Sequence, residues 1–139
     1  MRFEDVVHQV IRLAIAVNEE SERLEKEHPD EGLFRRSEYP RPARDLLLNY
    51  LNQLDDEDVF KIEALMYYGR GDEELQDLHE YLTDEQQGFD RDGAVQQMME
   101  KVPLPEYLET GLRDAQEAGI DLETPRFHAG SPMRRRSPS

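Results

Sequence analysis

Residues 56–68 read DEDVFKIEALMYY, and this stretch decides the fold. Plotted at about 100° per residue, its apolar side chains fall on nearly every side of a helix. Beyond the acidic first turn, only Lys61 and Glu63 interrupt the apolar surface. A helix that is apolar nearly all round is normally enclosed by other helices. The stretch therefore predicts the central helix of an all-α domain.

Five further segments predict helices around this one. They show apolar spacings of three and four, with proline, glycine or acidic residues near their ends, over about residues 4–26, 42–54, 72–82, 90–101 and 105–118. We therefore predict a compact, irregular bundle of five to six helices around the central helix at about 56–68.

Glycines and aspartates predict where the central helix ends and what packs near it. We expect Asp55 or Asp56 to cap its start and Gly69 to end it as a left-handed cap. Gly111 falls inside the last predicted helix, where glycine costs about 1 kcal/mol relative to alanine. That cost is offset most easily if another helix approaches closely at Gly111.

The chain length of 139 residues predicts one domain. We assign it to residues 1–123, with a long loop at 28–42, and we expect residues 124–139 to form a disordered basic tail that contains Arg134 to Arg136. Met98 and Met99 belong either to the core or to a homodimer surface, and helical periodicity does not separate these alternatives.

The charge balance bounds the possible partners. The chain has 32 acidic and 17 basic residues, a formal net charge of −15, and every acidic residue lies at or before Glu123. Such a field repels nucleic acid and anionic membranes and favours partners with a basic surface. Cysteine is absent, which excludes disulfides and thiolate nucleophiles. Neither a signal peptide nor a membrane span is predicted, so we expect a cytoplasmic protein.

Two segments resemble a bacterial family known only as a domain of unknown function. They are IEALMYYGRG at residues 62–71 and PLPEYLETGL at residues 103–112. The resemblance covers roughly residues 46–115. It implies a helical fold and a bacterial cytoplasmic protein, and it implies no particular chemistry.

No catalytic, cofactor or metal site is predicted. The histidines lack the i, i+3 or i+4 spacing that places two ligands on one helix face, at His8, His28, His79 and His128. The segment from Asp90 to Gly93 imitates the middle of a calcium loop, but Gly88 and Met99 then occupy ligand positions that require oxygen donors.

The basic residues near the long loop have two interpretations. They are Arg35, Arg36, Arg41 and Arg44, the only basic cluster in the acidic part of the chain. An anion site is one interpretation. We favour the other, in which these arginines are internal partners of the many carboxylates.

The main functional hypothesis is a non-enzymatic interaction or regulatory module that binds a basic protein surface, with DNA mimicry as one version. Between Asp55 and Asp92, 14 acidic residues face three basic ones. The candidate surface consists of Asp55, Asp56, Glu57, Asp72, Glu73, Glu74, Asp77 and Glu80. The alternative is a small metal-dependent hydrolase that uses carboxylates between helices. Glu63 and Arg70 are the residues to inspect for buried charge, with Glu63 either a catalytic carboxylate or, as we favour, the partner of an internal arginine.

Overall fold

The computed structural model describes residues 2–30, 38–71 and 89–123. Within these ranges the chain forms five α-helices and no strand: α1 (Phe3–Glu27), α2 (Pro42–Gln53), α3 (Asp56–Arg70), α4 (Arg91–Glu100) and α5 (Leu104–Glu117). The protein is all-α, as predicted. The helix predicted at about 72–82, residues 31–37 of the predicted loop and the predicted tail at 124–139 lie outside the described residues.

Helix α3 forms the centre of the hydrophobic core. Five of its side chains are 0% exposed, namely Val59, Phe60, Ile62, Leu65 and Met66. The helix contacts α1, α4 and α5, and its contact with α5 is the most extensive in the described part of the chain. The prediction that neighbouring helices enclose this stretch is confirmed.

Helix α1 covers the core with one stripe along its first half. The buried residues of this stripe are three or four apart, which is the spacing of one helix face: Phe3, Val6, Val7, Val10, Ile11 and Ala14. Through this stripe α1 packs against α2 and α5. Its second half is mostly exposed, although Glu20 and Leu24 are buried there.

The crossing of α3 and α5 depends on two glycines. A Cβ atom added at Gly69 would overlap the Tyr107 carbonyl oxygen, and one added at Gly111 would overlap the Leu65 carbonyl oxygen. The close helix approach predicted at Gly111 is therefore confirmed. The two backbones meet at a distance that no side chain at either position would permit.

The prediction that Gly69 ends the central helix is wrong. The helix continues to Arg70, and Gly71 takes the left-handed conformation with φ 95°. Either glycine suits a left-handed cap, since both lack a Cβ atom. The packing of α5 against Gly69 decides between them, and this long-range contact is not visible in the local sequence.

Helix α4 supplies the methionines whose location the sequence left open. Met98 is 1% exposed and belongs to the core, while Met99 is half-buried and packs against it. Pro103 separates α4 from α5, and Gly119 then turns the chain with φ 79°. The Ile120 backbone N–H donates to the Ala115 carbonyl at 3.0 Å, so the chain folds back over the end of α5.

Candidate functional site

The first turn of α3 contains the described part of the predicted acidic surface. Asp55 caps this helix, since its side chain accepts a hydrogen bond from the Asp58 backbone N–H at 2.9 Å. Acidic side chains are stabilised there by the positive end of the helix dipole. Asp55 is exposed. Of the first three predicted surface residues, Asp55, Asp56 and Glu57, it is the exposed one.

Asp56 is engaged inside the protein. Its Oδ1 atom lies 3.0 Å from Nη1 of Arg91, and the Asp56 side chain is only 14% exposed. The other terminal nitrogen of Arg91, Nη2, donates to the Leu51 carbonyl at 2.9 Å and the Asn52 carbonyl at 3.1 Å. Arg91 thus joins the end of α2, the start of α3 and the start of α4. Asp56 contributes little to an external surface.

Glu57 is buried, so its assignment to the predicted acidic surface is wrong. It is 8% exposed, and its Oε2 atom lies 2.9 Å from Nζ of Lys61. Lys61 also donates to the Leu122 carbonyl at 2.7 Å, and its Nζ lies 5.1 Å from the centre of the Phe3 ring. The sequence shows that Glu57 and Lys61 are four residues apart, which suits an ion pair on one helix. It does not show that Leu122 returns to this point and helps to bury the pair.

Asp58, in the same turn, is a half-buried carboxyl group with a raised pKa. Burial, reinforced by the negative charge of Asp55, raises the pKa of Asp58 from 3.8 to about 6, although Lys61 opposes the shift. Burial also raises the pKa of Tyr50 above its usual value, and the negative charge of Asp58 adds to this shift. Asp58 is therefore a group that changes charge in mildly acidic solution.

The remaining predicted site residues divide into two groups. Asp72, Glu73, Glu74, Asp77 and Glu80 lie outside the described residues. Glu63 is half-buried, while Arg70 is exposed with its guanidinium 5.9 Å from the Tyr67 ring centre. Arg70 is therefore not a buried charge. The buried charged residues in the described ranges are Glu20, Glu57 and Lys61.

Glu20 has a structural role that the sequence analysis missed. This glutamate is 2% exposed, and its two carboxylate oxygens accept hydrogen bonds from the backbone N–H groups of Ala43 at 2.8 Å and Arg44 at 3.2 Å. These are N–H groups of the first turn of α2, which lack a partner within their own helix. Glu20 of α1 thus caps α2 from a distance of more than twenty residues along the chain.

The interpretation of the basic cluster as internal charge partners is wrong for two of its members. Neither Arg41 nor Arg44 forms an ion pair with a carboxylate in the part of the chain that the structure describes. Arg35 and Arg36 lie outside the described residues. The two described arginines line a cavity between α1, α2 and α4 instead.

The exposed surface is strongly acidic well beyond the first turn of α3. Among the described residues, 17 acidic side chains are exposed and only seven basic ones are. Helix α5 illustrates the pattern, because Glu106, Glu109 and Glu117 are exposed along one side, where Arg113 is the basic residue between them. The acidic surface is thus spread over several helices.

No group of three or more His, Asp or Glu side chains that could hold a metal ion lies within residues 2–30, 38–71 and 89–123. Asp90, part of the segment that imitates a calcium loop, instead caps α4 by accepting a hydrogen bond from the Gly93 backbone N–H at 3.1 Å. None of the helices in these ranges is sufficiently long and apolar to span a bilayer.

The described residues thus form an all-α domain with an acidic exterior and an enclosed central helix. Residues 44–116 match the model of a family described as a protein of unknown function, DUF3775, and the chain belongs to this family. The matched range runs from α2 to α5 and includes both segments that carry the resemblance in the sequence. No curated protein and no solved structure matches the chain.

Proposed function

We propose that this protein is a non-enzymatic interaction or regulatory module whose acidic exterior binds a protein with a basic surface. The observation that carries the proposal is the excess of exposed acidic side chains, 17 against seven basic ones, in the described ranges. Opposite charge speeds association and selects among partners more than it adds affinity. A basic protein surface is the partner chemistry that this exterior favours.

Helices display these carboxylates on a rigid frame. On α5, Glu106 and Glu109 are three residues apart, a rise of about 4.5 Å along the helix axis. A rigid acidic array of this kind supports the more specific version of the proposal, in which carboxylates imitate the phosphates of DNA and occupy a DNA-binding protein. The same negative field disfavours direct binding to nucleic acid or anionic lipid. We place this interaction in the cytoplasm of a bacterium.

Two buried carboxylates support a structural use of inward-facing acids over a catalytic one. Glu20 caps α2, and Glu57 pairs with Lys61. The hydrolase alternative needs inward-facing carboxylates that are open to a substrate. No specific observation among the described residues favours it.

An affinity capture at two salt concentrations tests the proposal. The immobilised protein is exposed to lysate in about 0.1 M salt and washed with about 1 M salt, which shortens the Debye length from about 10 Å to about 3 Å. The proposal predicts that basic proteins are retained in low salt and released in high salt. The proposal would be contradicted if no basic protein were captured, or if the captured proteins stayed bound in high salt.

Matched variants of α5 make this test specific. The triple variant E106Q/E109Q/E117Q removes three exposed negative charges and should reduce retention. The control R113Q removes the neighbouring positive charge and should leave retention equal or higher. Release of the captured proteins by duplex DNA supports mimicry, whereas capture that is indifferent to DNA contradicts that version.

A further inference from the structure

A cavity of about 180 Å³ lies between α1, α2 and the turn that joins α4 to α5. Its apolar wall includes Leu47, Met98 and Leu104, which are all nearly fully buried. Its polar side carries three cations, Arg41, Arg44 and Lys101. Such a combination of an apolar wall with a few convergent polar groups is typical of small-molecule sites.

Two of these three cations donate hydrogen bonds to neutral side chains. Arg41 donates through Nη1 to the Ser21 hydroxyl at 3.4 Å, and Lys101 donates through Nζ to Oε1 of Gln97 at 3.1 Å. None of the three forms an ion pair within the described ranges, although the chain has 32 acidic residues.

Arg41 shows the missing hydrogen-bond partners most directly. Its Nε atom is buried and has no hydrogen-bond partner. A buried donor without a partner costs about 1–3 kcal/mol, and more when the group is charged. Unsatisfied buried groups are rare in folded proteins, and each calls for an explanation.

The buried carboxylate of Glu20 accepts hydrogen bonds from backbone groups beside these arginines. Both oxygens of Glu20 accept backbone N–H groups at the start of α2, at 2.8 Å from Ala43 and 3.2 Å from Arg44. Glu20 therefore holds the chain segment that carries Arg41 and Arg44 without forming an ion pair with either guanidinium.

A second groove, of about 340 Å³, adjoins the first and shares Arg44 and Met99 with it. Leu48 and Val95 provide apolar surface there, while Asp92 and Glu100 add negative charge. An anionic group is therefore favoured at the first cavity and disfavoured in the second groove. A ligand that extends between them would carry one anionic end and an apolar body.

We propose that this pair of cavities binds a small organic anion, a monocarboxylate with a hydrocarbon chain. Arg41 and Arg44 hold the carboxylate through charge-assisted hydrogen bonds, with Lys101 as a further positive charge. The hydrocarbon chain extends past Met99 into the second groove, along Leu48 and Val95. This site is independent of the acidic exterior, so either proposal can fail without the other.

Calorimetric titration of the full-length protein with octanoate tests this proposal. We expect saturable binding, no comparable binding of octanol, which lacks the charge, and none of acetate, which lacks the chain. The methyl NMR signals of Met98 and Met99 should shift on titration. Absence of saturable octanoate binding would overturn the proposal, and so would equally tight binding of inorganic phosphate.

Charge-removing variants locate the site. Arg44→Gln and Arg41→Gln should each weaken octanoate binding by about tenfold, which corresponds to the loss of one charge-assisted hydrogen bond. Arg44 is exposed, so its variant is expected to fold. The matched control is Arg23→Gln, an exposed arginine on α1 that does not line the cavity, and it should bind octanoate as the wild type does. Unchanged affinity in Arg44→Gln would overturn the assignment.

Discussion

Gly69 and Gly111 face each other where α3 crosses α5, and neither position has room for a methyl group. A Cβ atom at Gly69 would lie 2.9 Å from the Gly111 backbone nitrogen in addition to overlapping Tyr107. Glycine in a helix interior normally lowers stability relative to alanine. Here it permits the closest approach between the two helices that share the largest contact.

Replacing either glycine by alanine should therefore destabilise the protein. We expect Gly69→Ala and Gly111→Ala each to lower the free energy of unfolding by about 1–3 kcal/mol, the usual range for overpacking. Urea unfolding followed by circular dichroism measures the change. Gln116→Ala, at an exposed position of α5, is the control and should be nearly neutral. A stabilisation of about 1 kcal/mol, as expected for open space, would contradict the close approach.

The cap that Glu20 provides to α2 should also be measurable. Glu20→Gln keeps the size of the side chain but replaces one accepting oxygen by an NH₂ group, which cannot accept from the backbone N–H. We expect a loss of about 1–3 kcal/mol, the cost of an unsatisfied buried donor. Glu19→Gln at the exposed neighbouring position should change stability by less than about 0.5 kcal/mol. Equal stability of the two variants would show that Glu20 does not cap α2.

The buried pair of Glu57 and Lys61 should show strong coupling. Lys61→Met leaves the Glu57 carboxylate without its cation, and we expect a loss of about 3–5 kcal/mol. The double variant Glu57→Gln with Lys61→Met removes both charges and should recover much of this loss. A double-mutant cycle from urea unfolding gives the interaction energy. Additive effects of the two substitutions would argue against a coupled buried pair.

Stability should fall as pH rises through the titration of Asp58. Its pKa is raised from 3.8 to about 6 in the folded protein, so the native state binds more protons than the unfolded state between these values. Linkage then requires the contribution of Asp58 to be fully present below about pH 4 and lost as pH rises past 6. Asp58→Asn should raise stability at neutral pH and flatten this part of the profile.

Thermal unfolding between about pH 4 and pH 7 checks this dependence. Glu109→Gln, which removes one exposed negative charge on α5, is the control and should keep the wild-type slope in this window. If Asp58→Asn and Glu109→Gln give the same profile, the shifted titration does not belong to Asp58.

The helices were predictable from local patterns, because the apolar stripes and the caps are local. The stripe of α1 and the enclosed surface of α3 follow from residue spacing, and Asp55 caps α3 as expected. The cap at Gly71 instead of Gly69 was not predictable in this way. It depends on Tyr107, which lies almost forty residues further along the chain.

The candidate sites were less predictable, because their members come from distant segments. The negative charge of the exterior follows from composition. By contrast, Glu20 is enclosed where Ala43 approaches it, and Lys61, the partner of Glu57, is enclosed where Leu122 approaches. The cavity with Arg41, Arg44 and Lys101 likewise forms only when three helices pack. Residue type alone does not distinguish an arginine that lines a cavity from one that pairs with a carboxylate.

The acidic exterior depends on the enclosure of α3, because this enclosure places the core inside and the carboxylates outside. Native-state hydrogen exchange of the full-length protein tests it most directly. We predict that the backbone amides of residues 60–66 are among the slowest to exchange and that those of residues 21–27, in the exposed half of α1, are much faster. Exchange of residues 60–66 as fast as that of residues 21–27 would contradict the claim and remove the basis for an outward-facing acidic surface.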